Sequence, residues 1–181
     1  GEGPCPASSP DRWVDNGDGT ICDNQTGLMW EKKVAEDHPE CDINIPYGDR
    51  NVHCVFLMPT NFLDLLNGVL LNEMDSRYTS KPLGGYTNWR IPTVWELRTI
   101  LLESDYPCPV DPCIDPIFFP ASIDQFTQYS TLKPCILTST VQNMDFFGDY
   151  GQQPLCMDFN TGAVSPVYRV DKAVRAVRTA R

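Results

Sequence analysis

The residues best equipped for chemistry in this 181-residue chain are its eight cysteines: Cys5, Cys22, Cys41, Cys54, Cys108, Cys113, Cys135 and Cys156. Thiolates can hold zinc, attack a substrate or pair as disulfides. A zinc cage calls for Cys-x-x-Cys pairs or histidine partners. No two cysteines are spaced that way, and His38 and His53 are the only histidines. An even count in a chain with 16 prolines and 12 glycines predicts disulfides made in an oxidising compartment.

Carboxylates are the second reservoir of chemistry. Glu103, Asp105, Asp111 and Asp115 form the densest cluster and are the weak candidates for a calcium site, against the simpler reading of a solvated loop. The run Asp15-Asn16-Gly17-Asp18-Gly19 fails as an EF-hand loop. Counted from Asp15, the twelfth position is Thr26, where a glutamate is required. Hairpin-turn chemistry explains the Asp-Gly without a metal. A nucleophilic triad needs a histidine beside a serine or cysteine, and both histidines fall in a low-periodicity excursion. There is no Gly-x-Ser-x-Gly, no Gly-rich phosphate cradle and no His-Glu-x-x-His. The expectation is therefore no catalytic residue and no cofactor, with calcium as the one metal to test.

A formal net charge of −10 argues against nucleic acid, polyanions and anionic lipid as partners, since each needs clustered Lys and Arg. The exception is the C-terminal run Arg169, Lys172, Arg175, Arg178 and Arg181, which reads as an alternating strand with solvated arginines. No apolar run approaches a membrane span; Phe62 to Leu71 is broken by Asp64, Asn67 and Gly68. The start at Gly1-Glu2-Gly3, without methionine, reads as a mature or trimmed chain whose signal peptide has gone. The location expected is extracellular, cell-surface or periplasmic.

These groups must be positioned by a scaffold. Residues 1–11, rich in Pro and Ser, form an arm, and 12–181 read as one domain. Strands are expected at Arg12–Asp15, Thr20–Asp23 and Leu28–Trp30, joined by Asn-Gly-Asp-Gly and Asn-Gln-Thr-Gly turns. Residues 31–59 are a loop insertion. Phe62, Leu65, Leu66, Val69 and Leu70 predict an amphipathic helix over Thr60–Met74, with Gly68 inside it. Gly84 to Leu97 reads as a turn, a short extended run and a second helix. Thr93 and Glu96 make its capping box, and Val94, Leu97, Ile100 and Leu101 its buried face. Trp89 and Trp95 are assigned to the core with Trp13, Trp30 and Arg90. Residues 103–151 are a long irregular region, and strands return at 136–140, 154–159, 163–168 and 173–178.

Several of these pieces occur together in one order. They are Arg12-Trp13-Val14-Asp15-Asn16-Gly17-Asp18-Gly19-Thr20, Asp23-Asn24-Gln25-Thr26-Gly27-Leu28-Met29-Trp30 and Gly84-Gly85-Tyr86-Thr87-Asn88-Trp89-Arg90-Ile91-Pro92-Thr93 with Glu96-Leu97. Leu137-Thr138-Ser139-Thr140, Asp158-Phe159-Asn160-Thr161-Gly162 and Val174-Arg175-Ala176-Val177-Arg178 follow. The set resembles the bacterial family named after the C-terminal domain of the collagen-like adhesin Lcl. The resemblance implies an α+β, C-type lectin-like fold related to the formylglycine-generating enzyme. Its first and last strands would pair, two helices would flank them, and a long irregular region would carry the binding surface. Family members often place one cysteine in the first helix and one in the final strand. Here the helix has none and the strand has Ala176. Among the 105 possible connectivities of the eight cysteines present, the expected one is sequential: Cys5–Cys22, Cys41–Cys54, Cys108–Cys113 and Cys135–Cys156. The namesake's association with sulfated polysaccharide calls for a basic face that a charge of −10 does not supply. Gln153-Pro154-Leu155 lacks the acid of a calcium-dependent sugar site.

The reading reached is a secreted or cell-surface, non-catalytic adhesion module for a glycan or protein partner. Tyr106, Phe118, Tyr129, Phe146, Phe147 and Tyr150 are its candidate contacts. The competing readings are a structural subunit of a filament, pilus or envelope complex that self-associates, and a cysteine-dependent modifying enzyme.

Overall fold

The computed structural model describes residues 5, 9–32, 63–64, 66–68, 82–102, 108–110, 113–118, 136–144, 151–159, 161–167 and 174–180. Three strands follow the first turn signals in order: β1 (Trp13–Asp15), β2 (Thr20–Asp23) and β3 (Leu28–Glu31). The helix α1 is Val94–Arg98. Then come β4 (Ile136–Met144), β5 (Gly151–Met157), β6 (Val164–Pro166) and β7 (Val177–Thr179). The strands make two antiparallel sheets, ordered β1-β2-β3-β7 and β4-β5-β6.

This is a mostly β architecture, and it corrects the expected α+β, C-type lectin-like arrangement with two flanking helices. Among the described residues only α1 is a complete α-helix. The expected helix over Thr60–Met74 shows helical positions at Leu63, Asp64 and Leu66. It then meets Gly68 at φ +75°, a left-handed conformation that ends helices. A Cβ there would lie 2.7 Å from the Pro82 ring, so close packing also holds the glycine in place. The second helix stops early as well. Beyond Arg98 the chain tightens into i→i+3 bonds from Thr99, Ile100 and Leu101. Leu101 then bridges Ile114.

The terminal strands do not pair. β7 lies on β3, with Trp30 opposite Val177, and β1 is at the far edge. The meander from β1 to β3 leaves β3 as the inner edge, and the C-terminal segment fills it. Glu31 fixes the register, since its backbone N–H donates to Ala176 O and its carboxylate accepts the Ala176 N–H. The other edge of β7 is covered by Arg90, which exchanges both backbone bonds with Val177 at 2.9 Å.

The two central strands, β2 and β3, are buried at every position, including the polar Thr20, Asp23 and Glu31. Ile21, Leu28, Trp30 and Val177 face a core shared with α1 (Val94, Leu97, Ile100) and the second sheet (Ile136, Met157). Cys22, Met29 and Ala176 face the opposite cluster of Leu66, Leu83 and Trp89.

The chain is stapled by Cys5–Cys22 and Cys108–Cys113. Cys156 is also disulfide-bonded, while Cys135, Cys41 and Cys54 lie outside the described residues. So do most of the 31–59 insertion and the histidines within it.

Candidate binding face

The segment leading into α1 is anchored from several directions. Gly84, at φ +60°, turns the chain through a short 3-10 segment. Trp89 is then fixed at three points. Its N–H donates to Asn67 Oδ1 (2.8 Å), its carbonyl accepts from Asn67 Nδ2 (3.1 Å), and its indole Nε1 donates to Leu83 O (3.0 Å). One asparagine side chain thus imitates a neighbouring strand. Ser139 N donates to Pro92 O, and Val94 N to Thr140 Oγ1 at 3.0 Å, which tie the helix start to β4.

The capping box is complete. Thr93 Oγ1 accepts from Glu96 N (3.2 Å), and the Glu96 carboxylate accepts from Thr93 N (2.8 Å). The same carboxylate receives both guanidinium nitrogens of Arg90, at 2.7 and 2.6 Å. The Arg90 bonds, helped by the Thr93 N–H, hold the Glu96 carboxyl below its usual range. Glu96 in turn raises the Arg90 guanidinium. Arg90 was assigned to the core, yet its side chain is 42% exposed: its backbone holds β7 and its side chain holds Glu96 at the surface.

Trp95 corrects a second core assignment. It is 67% exposed. The Arg98 guanidinium lies 4.9 Å from its ring centroid, a cation–π contact one turn along. Leu102 follows at 47% exposure, and its N–H donates to Cys113 O in the Cys108–Cys113 loop, where Val110 is 45% exposed. The sequence held a usable signal. At ~100° per residue, Trp95 points away from the side defined by Val94, Leu97 and Ile100. The apolar bulk of a tryptophan argues for the interior, but its angular position on the helix decides.

The predicted contact residues fare differently. Phe118 is fully buried, edge-on to Trp13 (centroids 4.9 Å) and Trp30 (6.2 Å), so it belongs to the core and not to a binding surface. Tyr106, Tyr129, Phe146, Phe147 and Tyr150 lie outside the described residues. So do Glu103, Asp105 and Asp111 of the calcium cluster. Asp115 serves the turn after it, where Oδ1 accepts from Ile117 N at 3.0 Å. Among the described residues no group of three or more His, Cys, Asp or Glu could hold a metal ion. Trp30 and Trp89 are buried and Trp13 is half-buried against the core.

Of the basic C-terminal run, Arg169, Lys172 and Arg181 lie outside the described residues, and Arg175 and Arg178 are both engaged by the fold. Arg175 is buried, donating to Glu31 O (2.8 Å) and Phe118 O (3.1 Å), with its guanidinium 5.4 Å from the Phe118 ring. Burial pushes it down to about 10, against the pull of the Glu31 charge. Arg178 lies 3.7 Å over the Tyr86 ring and donates to Asn88 Oδ1 at 2.7 Å. Near the other end of the first sheet, Arg12 bonds both carboxylate oxygens of the buried Asp23 and reaches Thr99 O at 2.6 Å. Lys32 pairs with Asp15, which keeps that carboxyl low.

The described residues form a mostly β body stapled by disulfides, with Trp95 and Arg98 outward on a clamped helix. The chain belongs to the Lcl C-terminal domain family, whose model matches residues 19–178. No curated protein and no solved structure matches it. The family and the disulfides fit an adhesin-like module at an extracellular location, and no helix among the described residues is long and apolar enough to cross a membrane.

Proposed function

We propose that this chain is a non-catalytic adhesion module that acts outside the cell by binding a glycan or protein partner. The observation that carries the reading is the family match over residues 19–178. The use of its charged groups supports it. Arg12 with Asp23, Arg90 with Glu96, and Arg175 with Glu31 hold strands and caps together, the role of structural ions and not of titrating catalysts. Disulfide staples suit an oxidising environment.

The test is retention of the purified chain on a glycan array, on displayed peptides and on immobilised matrix proteins. Specific, saturable binding to one class is expected. A chain that binds nothing in these formats, yet turns over thiol or disulfide substrates through a labile bridge, would overturn the reading in favour of a modifying enzyme.

A further inference from the structure

We propose that the Cys108–Cys113 disulfide is a redox-sensitive latch, opened by a dithiol reductant in the folded chain while Cys5–Cys22 stays closed. The two bridges sit in different surroundings. Cys5 and Cys22 are both buried in the second core cluster, with Leu66, Leu83 and Trp89. A thiolate reaches their sulfurs only when that cluster opens. Cys108 is half-buried and leads into Pro109 and Val110, which are exposed. Its bridge joins residues 5 apart in sequence, against 17 apart for Cys5–Cys22. The shorter the loop, the less chain entropy its closure removes from the unfolded state.

The fold keeps its shape when this bond breaks. Cys113 is held without its sulfur, since its N–H donates to Phe159 O at 2.7 Å and its carbonyl accepts from Leu102 N at 3.1 Å. The next residue, Ile114, is fully buried and bridges Leu101, and Phe118 fixes the segment in the first core cluster. A protonated Cys113 thiol packs there as a small apolar side chain. The Cys108 N–H donates to Thr161 O at 3.1 Å, on the same connection between β5 and β6 that holds Cys113. With exposed neighbours beyond it, Cys108 depends on the bridge for its place far more than Cys113 does. Reduction therefore frees one end of the loop and leaves the other fixed.

The exchange balances. A thiolate of the dithiol attacks Cys108 Sγ, the S–S bond breaks, and Cys113 Sγ leaves with the electron pair and takes up a proton. The second thiol of the reductant loses its proton and displaces Cys108 from the mixed disulfide. The dithiol ends as a disulfide, and two electrons and two protons have passed to the cysteine pair. The latch is independent of what the chain binds.

The test treats the native full chain with graded dithiothreitol and quenches it in acid. The released thiols are alkylated in denaturant and mapped by peptide mass spectrometry. Cys108 and Cys113 should be labelled at least about tenfold sooner than Cys5 and Cys22, with the tryptophan near-UV circular dichroism unchanged. Amide hydrogen exchange should rise at Cys108 and hold at Leu102 and Cys113. Simultaneous opening of the two bridges, or earlier opening of Cys5–Cys22, overturns the proposal, because reduction would then follow global unfolding. The double variant Cys108→Ala/Cys113→Ala should fold with the wild-type tryptophan signal. A double variant that does not fold makes the bridge a structural staple and also overturns the latch. Repeated turnover of a disulfide substrate by the reduced pair overturns it too, by making the bridge catalytic.

Discussion

Of the arginines that lie over aromatic rings, Arg175 and Arg98 do opposite work. Arg175 is sealed in the core above Phe118, donating to Glu31 O and Phe118 O. Arg98 is out in solvent above Trp95. The first pair welds β3, the lead into β7 and the turn ending at Phe118 into one body. The second touches nothing that the fold needs. Identical chemistry supports the scaffold where water is excluded and stays hydrated where it is not. In the interior a guanidinium must satisfy its donors on fixed carbonyls, whereas at the surface it keeps its hydration until a partner replaces it.

The sharpest way to break this contrast is to remove each arginine. Arg175→Met takes away the cation facing the buried Glu31 carboxylate and frees two carbonyls, and should cost about 3–5 kcal/mol in urea unfolding. Arg175→Lys should rescue little, because an ammonium lacks the fork that reaches both carbonyls. Arg98→Met should change stability by no more than about 0.5 kcal/mol. Equal losses would mean that the surface pair is structural too.

The two tryptophans on either side of Arg90 repeat the comparison. Trp89 fills the second core cluster and makes three hydrogen bonds, so Trp89→Ala should cost about 3–5 kcal/mol. Trp95→Ala should leave the urea midpoint within about 0.5 kcal/mol of wild type. A comparable loss at Trp95 would mean that the exposed indole is structural too.

A smaller effect tests the clamp beneath the face. The folded Glu96 carboxyl is held below its ordinary value of 4.5, chiefly by Arg90. A carboxyl lowered on folding adds stability that is fully present above its unfolded pKa and is lost as pH falls through the folded one. Acidification below about 4.5 should therefore weaken the cap progressively. Glu96→Gln should remove about 1 kcal/mol at neutral pH and abolish that part of the acid dependence. An unchanged acid limb in Glu96→Gln would show that the clamp carries no such linkage.

What could be read in the residues follows the range of the forces involved. The meander β1-β2-β3, the Thr93–Glu96 capping box and the start of α1 rest on contacts within a few residues, and their signals were legible. The pairing of β7 with β3 rests on Glu31 meeting Ala176, 145 residues away, which no local pattern encodes. The expected longer helix fails for a local reason: Gly68 lies inside its span, and its left-handed φ makes it the stop. Phe118 and Trp95 exchanged places because each was judged by neighbours in sequence. Phe118 sits in a proline-rich stretch that looks like surface, yet Trp13 and Trp30 close over it. Trp95 sits in an amphipathic helix that looks like core, on its outward side.

The mildest probe resolves the two kinds of arginine most directly, because it alters no residue in its first arm. Trp30 and Trp89 are buried and Trp13 is half-buried, so Trp95 should dominate collisional quenching of the intrinsic fluorescence. With Arg98 only 4.9 Å from its ring, iodide should be drawn to the indole and caesium repelled. Iodide should therefore quench more strongly than caesium at equal ionic strength, even though the molecule as a whole is acidic. Arg98→Glu should reverse the order, and Arg175, screened inside the protein, should have no part in it. A preference for caesium in the wild-type chain would mean that the net charge of −10, and not Arg98, sets the field at Trp95.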